Sequence, residues 1–114
     1  MEILTDYQNR QIRLTEERLQ HIFDHPEMLD MRFQLEIVLQ TPEVVRQSRS
    51  DSKAYLYYRF YKQTIVGAKW LCIVIKDNSD DTFITTAYLT DKLKQGLEPW
   101  HNLQRFGSIQ KLTF

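Results

Sequence analysis

The spacing of hydrophobic residues changes once along the chain and divides it into a helical part and a sheet part. Up to about residue 40 the apolar positions recur at helical spacing, as in Leu19, Ile22 and Phe23. From Val44 onward the period is two, and the residues are often β-branched or aromatic. The pattern predicts an α+β fold in which two N-terminal helices pack on a four-stranded antiparallel sheet.

Local signals set the limits of the two predicted helices. Thr15 is a suitable N-cap for the first helix, and Pro26 ends it near residue 24 because proline lacks a backbone donor. The second helix is predicted over about residues 27–40, where a Thr-Pro pair provides a stop signal. Residues 11–14 are predicted to form a short strand or an extended segment before the first helix.

Four strands are predicted after the helices. Short polar links between the last three favour an antiparallel meander. The third strand is apolar on both faces between two terminal lysines, which suits the centre of a sheet with helices on at least one face. The strands are predicted at about Val44–Ser48, Ala54–Tyr61, Lys69–Lys76 and Thr82–Leu89.

The length of 114 residues indicates one domain over residues 1–114, with a helical part at about 12–40, a sheet part at about 44–90 and a C-terminal tail at about 96–114. The longest apolar run has six residues, Trp70 to Ile75, against the roughly 20 that a membrane-spanning helix needs. The single Cys72 excludes an internal disulfide and is predicted to lie in the core. With no secretory signal at the N-terminus, we expect a cytoplasmic protein that does not act on membranes.

Net charge is zero over the chain but is unevenly distributed. Residues 1–45 carry nine acids and four arginines, whereas residues 46–76 carry seven basic residues against Asp51 alone, a net charge of +6. The neutral total argues against a general nucleic-acid coat protein, but the basic middle permits a local anion site. Solvated strand edges that use lysine and arginine are the alternative explanation.

Two histidines lie four residues apart around the end of the first predicted helix. The pKa of histidine is ordinarily about 6.5, so His21 and His25 can exchange a proton near neutral pH. The same spacing could hold zinc if His101 or a carboxylate completed the ligand set. Helix-end histidines are also common as purely structural or capping residues.

Basic and hydroxyl residues that could hold a phosphate recur on the predicted strands. Arginine is well suited to this role because its planar guanidinium donates two hydrogen bonds at once. Each of these residue types is also ordinary in strands and turns, where it requires no ligand. The candidates are Arg46, Ser48, Arg49, Lys76, Thr86 and Tyr88.

Alternate residues of the second predicted strand form an aromatic and basic face. Tyr55, Tyr57 and Tyr61 share this face with Arg59. Such a face could stack RNA bases. It could equally be a packed sheet face whose tyrosine hydroxyls reach water.

The order of these motifs is more specific than any one of them. It resembles a phage- and bacterium-associated branch of the barnase–EndoU–colicin–RelE group of small ribonucleases, over roughly residues 12–100. The motifs that carry the resemblance are Ile12–Thr15, His21-Ile22, His25-Pro26-Glu27, Pro42-Glu43-Val44 with Arg46, Ser48 and Asp51, Tyr57-Tyr58, Leu71–Lys76 and Phe83–Asp91.

The resemblance implies a metal-independent endoribonuclease without a cofactor, which cleaves RNA through attack of a 2′-hydroxyl on the adjacent phosphate. His21 or His25 would be the base, and Arg46, Lys76 and Thr86 would stabilise and position the phosphate. RNA would also contact Ser48, Arg49, Tyr57, Arg59 and Tyr88. Such a protein would be a toxin of a toxin–antitoxin or phage-linked system, with an antitoxin or immunity protein as a partner and no DNA substrate.

Two other classes of function remain open at this point. The first is a non-catalytic module of the same fold that binds a protein or RNA through its aromatic and basic sheet face. The second is a metal-dependent enzyme that uses His21 and His25 as ligands.

Overall fold

The computed structural model of the chain describes residues 1–94 and the backbone of residues 96–101. The predicted tail at about 96–114 therefore lies partly outside the described residues, which end at 101. Within them the chain forms seven strands, two α-helices and one 3-10 helix. In chain order these are β1 (Glu2–Thr5), β2 (Gln11–Leu14), α1 (Glu16–Phe23), the 3-10 helix (Pro26–Met31), α2 (Gln34–Gln40), β3 (Val44–Gln47), β4 (Ala54–Tyr61), β5 (Lys69–Asp77), β6 (Thr82–Thr90) and β7 (Leu97–His101).

The strands form one mixed sheet in the order β1-β2-β6-β5-β4-β3-β7. Strands β4 to β6 form the antiparallel meander that the sequence predicts, and β3 pairs with β4 in the antiparallel sense. The bounds of these four strands differ from the predicted ones by one residue at most. Strand β5 is central, as its two apolar faces indicate. Strand β2 pairs with β6 in the parallel sense, through Arg13 opposite Phe83.

The prediction of two helices on a four-stranded antiparallel sheet is wrong. The exposed edge of a four-stranded meander would leave backbone donors and acceptors unpaired. Here the hairpin of β1 and β2 covers the edge of β6, and β7 covers the edge of β3. Gly96 lies so close to the Gln47 carbonyl oxygen that a β-carbon would collide with it, so glycine permits the approach of β7.

The second predicted helix is also corrected, because two shorter helices replace it. Thr15 caps α1 by accepting a hydrogen bond from the Arg18 backbone amide, and α1 ends before Pro26 as expected. The chain then forms the 3-10 helix, with Pro26 in its first turn, before α2 begins at Gln34. The spacing of the buried Met28 and Met31 is three residues, which fits a 3-10 helix as well as an α-helix.

The helices pack on one face of the sheet, here called the helical face. One cross-strand row on this face consists of Val45, Tyr57, Ile73 and Ala87. These residues join the main core with buried helix residues such as Ile22 and Leu35. The next row along the strands lies on the opposite face, here called the far face, and consists of Arg46, Leu56, Val74 and Thr86.

Candidate functional site

A groove of about 270 Å³ opens on the far face at the end where β3 leads into β4. Leu56 and Val74 form its floor. The turn between β3 and β4 forms one wall, and the segment that follows β6 forms the other. We call it the basic groove, and its lining residues are Ser48, Arg49, Ser50, Ala54, Leu56, Val74 and Lys94.

The alternation of side chains along the strands brings six of the ten predicted site residues to this part of the far face. Arg46 and Thr86 lie at opposite ends of the row that contains the groove floor. Lys76 lies two residues beyond Val74 on β5, and Tyr88 lies two residues beyond Thr86 on β6. Ser48 and Arg49 line the groove itself.

The segment after β6 is held on the far face by backbone groups of Lys94. Its amide donates to the Tyr58 hydroxyl at 3.0 Å, and its carbonyl accepts from the Arg46 guanidinium at 2.7 Å. Leu93 packs against the apolar cluster of Val44, Leu56, Tyr58 and Cys72 beneath it. Arg46 therefore holds one wall of the groove in place.

The basic groove carries an excess of positive charge. Among the described residues, five cations and one acid lie in the groove lining or next to it, a net charge of +4: Arg46, Arg49, Lys53, Lys76 and Lys94 against Asp51. Asp51 accepts from Lys76 at 3.0 Å, and this hydrogen bond is the main cause of the lowered pKa of the Asp51 carboxyl. The side chains of Arg49 and Lys94 are exposed and form no ion pair with any residue of the described part. An anion that enters the groove therefore meets two unneutralised cations.

The polar atoms of Tyr58, Cys72 and Tyr88, which form one cross-strand row, lie next to the groove. Burial raises the pKa of the Cys72 thiol to about 11, so it stays protonated and unreactive at neutral pH. Cys72 is buried as predicted. The Tyr88 hydroxyl faces this thiol, which is only a weak hydrogen-bonding group. Among the described residues, this hydroxyl has no well-formed hydrogen bond. Tyr88 therefore belongs to the base of the site rather than to its open surface.

The structure does not bring His21 and His25 to the groove. Both lie in the helical layer on the other side of the sheet, and both side chains are 63% exposed. The Nδ1 atom of His21 lies 3.9 Å from Asp24, and that of His25 lies 3.7 Å from Glu27. Neither ring therefore approaches Arg46, Lys76 or Thr86, as a base acting on a phosphate held by those residues would have to do.

Tyr57 and Arg59 also lie away from the groove, on the helical face. The Tyr57 ring is buried, and its hydroxyl donates to Asp6 at 2.7 Å and accepts from Arg10 at 2.7 Å. The Arg59 guanidinium donates to the Thr41 carbonyl at 2.7 Å, beside the end of α2. The helices cover this face, so it offers no platform for stacked bases.

A larger cleft, of about 630 Å³, lies at another part of the sheet. It is bounded by β2 and the turn between β5 and β6. Its two arginines are already paired, Arg10 with Asp77 at 2.8 Å and Arg13 with Asp81 at 2.7 Å. Asp80 also lines this cleft, so three acids face two cations there. The charge of the cleft therefore does not favour binding of an anion, although the cleft is larger than the basic groove.

Within residues 1–94 and 96–101, no three histidine, cysteine or carboxylate side chains are close enough to one another to hold a metal ion. The metal-dependent alternative for His21 and His25 therefore gains no support from this part of the chain, and the His101 side chain lies outside the described residues. None of the helices that the structure describes has the length and apolar character needed to cross a bilayer.

Sequence patterns do not reveal the contribution of Lys94 to the groove. It follows the last strand of the meander in a short polar run, where no periodicity indicates which way a side chain points. Its position depends on Tyr58 and Arg46, which are far away in sequence. Two lysines in a run after a strand were the only signal available.

Comparison with known proteins leaves the site to be interpreted on its geometry alone. No protein family model matches the chain, and no similar curated protein or solved structure is found.

Proposed function

We propose that the protein binds single-stranded RNA, with phosphates in the basic groove. The observation that carries this proposal is the row of Arg46, Leu56, Val74 and Thr86 across four adjacent strands. With strands about 4.8 Å apart, its two polar ends are roughly 14 Å apart, which is wider than one phosphate. Binding groups spread over that distance suit a polymer that carries several phosphates rather than a small anion.

The chemistry of the groove supports contacts to the backbone of RNA. Arg49, Lys76 and Lys94 supply charge for phosphates, and the Ser48 and Thr86 hydroxyls can donate to or accept from phosphate and ribose. The apolar floor suits the carbon atoms of a sugar. Each charge-assisted hydrogen bond of this kind is worth about 1.5–3 kcal/mol where water is excluded.

Aromatic rings on the same face extend the proposed surface. Phe60 and Trp70 are half-buried, with ring centroids 5.3 Å apart. Trp70 lies four residues from Val74 along β5, about 13 Å from the groove floor. Bases stack on such rings irrespective of sequence, which favours an RNA single strand over a duplex.

Cleavage of the RNA stays a prediction. Arg46 and Lys76 could stabilise charge on a phosphorane. Acid–base catalysis would need His21 or His25 on the same face of the sheet as these cations, and both histidines lie on the other side. We therefore propose the non-catalytic RNA-binding module, which the sequence offered as the alternative, in place of histidine-based cleavage.

We expect the affinity for RNA to fall steeply with salt. Three cations that neutralise three phosphates give a slope of about −2 in a plot of log K against log salt, at about −0.7 per phosphate. The measurement is fluorescence anisotropy with a labelled single strand of about ten nucleotides, a length within the usual range of binding sites.

The same samples, run on a denaturing gel, show whether the RNA is cut. A duplex DNA of matching sequence is the control ligand and should bind more weakly. Absence of binding at about 50 mM salt, or binding that salt does not weaken, would contradict the proposal.

A further inference from the structure

Three large apolar side chains point outward from the helical layer. Leu29, Phe33 and Ile37 are 58%, 83% and 43% exposed, at intervals of four residues. Phe33 is the N-cap residue of α2, and Ile37, four residues on, lies on the same side of that helix. Leu29 belongs to the preceding 3-10 helix. Most of the Phe33 ring lies in water, so this side chain contributes little of the hydrophobic stabilisation that a buried phenylalanine provides. We call these three residues the apolar stripe.

A groove of about 310 Å³ lies beside the same stretch of chain. Asp30, Met31 and Gln34 line one side, and Ile65 in the turn between β4 and β5 lines the other. Ile65 is itself 61% exposed. The Tyr61 hydroxyl, which donates to Gln34 at 2.8 Å, lies between the two sides. Ile65 therefore places an exposed apolar side chain on one side of this groove. Asp30 and Gln34, which are adjacent in sequence to Leu29 and Phe33, line the other side.

The layer around the apolar stripe is acidic. Residues 16–40 carry six acids and two arginines, a net charge of −4. Arg32 is paired with Glu2, which leaves Arg18 as the other cation. Asp30, at the edge of the groove, has no ionic partner among the described residues. The charge of the surface therefore complements a basic partner.

We propose that the apolar stripe and its groove bind a basic amphipathic helix of a protein partner. A partner helix with apolar residues at intervals of three and four could cover the apolar stripe with one face and insert an apolar side chain into the groove. Lysine or arginine at the margins of that helix would face Asp30 and its acidic neighbours. A second copy of this chain is disfavoured, because a symmetric contact would bring two acidic surfaces together.

Synthetic helical peptides provide the test. The probe is a labelled leucine–lysine peptide of about 18 residues with amphipathic spacing, and the matched probe has glutamate in place of lysine. We expect the lysine probe to bind. Phe33→Ser should weaken that binding about tenfold, because the variant loses the hydrophobic contribution of a phenylalanine ring that the peptide would bury. Since Phe33 is 83% exposed, Phe33→Ser should fold normally.

A control variant and a charge variant complete the experiment. Ile3→Ser makes a similar change at a side chain that is 50% exposed in β1, and it should leave binding of the lysine probe unchanged. Asp30→Lys should weaken that binding.

Three results would overturn the proposal. One is binding of the glutamate probe at least as tight as that of the lysine probe, and another is unchanged binding by Phe33→Ser. The third is a dimer in sedimentation experiments that Phe33→Ser dissociates, which would identify a second copy as the occupant.

Discussion

Asp6→Ala should destabilise the protein by about 3 kcal/mol, the largest loss expected from any single change outside the apolar core. The Asp6 side chain is fully buried. It accepts hydrogen bonds from the backbone amides of Gln8 and Arg10, from Arg10 Nε at 3.0 Å and from the Tyr57 hydroxyl at 2.7 Å. Removal of the carboxylate leaves all four donors without their acceptor.

The structure also explains why the expected loss is at the lower end of the range for a broken buried ion pair. Such losses are commonly about 3–5 kcal/mol. The Arg10 side chain is 31% exposed and keeps its contact with Asp77, so its charge is not left fully isolated. Asp6→Asn keeps the size of the side chain and one acceptor oxygen, and should fall between wild type and Asp6→Ala.

Urea unfolding followed by circular dichroism measures this effect, with Asp81→Ala as the matched control. Asp81 also pairs with an arginine, at 2.7 Å, but its side chain is 50% exposed. Exposed pairs contribute less than about 1 kcal/mol, so the control should be nearly as stable as wild type. Equal losses in the two variants would show that the network of Asp6, Arg10 and Tyr57 is not the stabilising unit we describe.

Arg49→Glu should lower the affinity for single-stranded RNA by about tenfold or more. Arg49 is exposed at the rim of the basic groove, and the substitution both removes a donor and places a negative charge against a phosphate. Two unit charges about 4 Å apart interact by about 1 kcal/mol even in water, and reversal of one charge changes that energy by about twice as much, which corresponds to more than a tenfold change in affinity. Since the side chain is exposed and unpaired in the described part, the fold should be unaffected.

Arg18→Glu is the control for this prediction. It makes the same substitution at an exposed residue of α1, in the helical layer on the other side of the sheet. If the two variants lose affinity equally, general electrostatic attraction explains the binding and the groove has no special role.

The meander could be predicted from the sequence because its signals are local. The alternation in β4 and the apolar run of β5 are visible without any knowledge of distant residues, and they place these strands correctly. Strand β1 was missed because only Leu4 among its four residues is buried, so alternation could not be detected. The parallel pairing of β2 with β6 joins segments about 70 residues apart, and no pattern within either segment encodes it.

The candidate site was predicted in part for the same reason. A period of two places Arg46 on the same face as Thr86 once the strands are aligned, and the structure does so. Hydrophobic periodicity shows that a helix covers a sheet but not which face it covers, so the sequence could not place His21 and His25 relative to these cations. His21 belongs to α1 in the helical layer, whereas the cations lie on the far face.

The central claim is that RNA binds in the basic groove and not at the histidines. Amide chemical-shift mapping of nitrogen-labelled protein, titrated with a single-stranded RNA, tests it most directly. We expect the largest shifts at Ser48, Arg49, Val74 and Lys94, with little change around His21 and His25. Shifts concentrated around the two histidines, with the groove residues unchanged, would contradict the account.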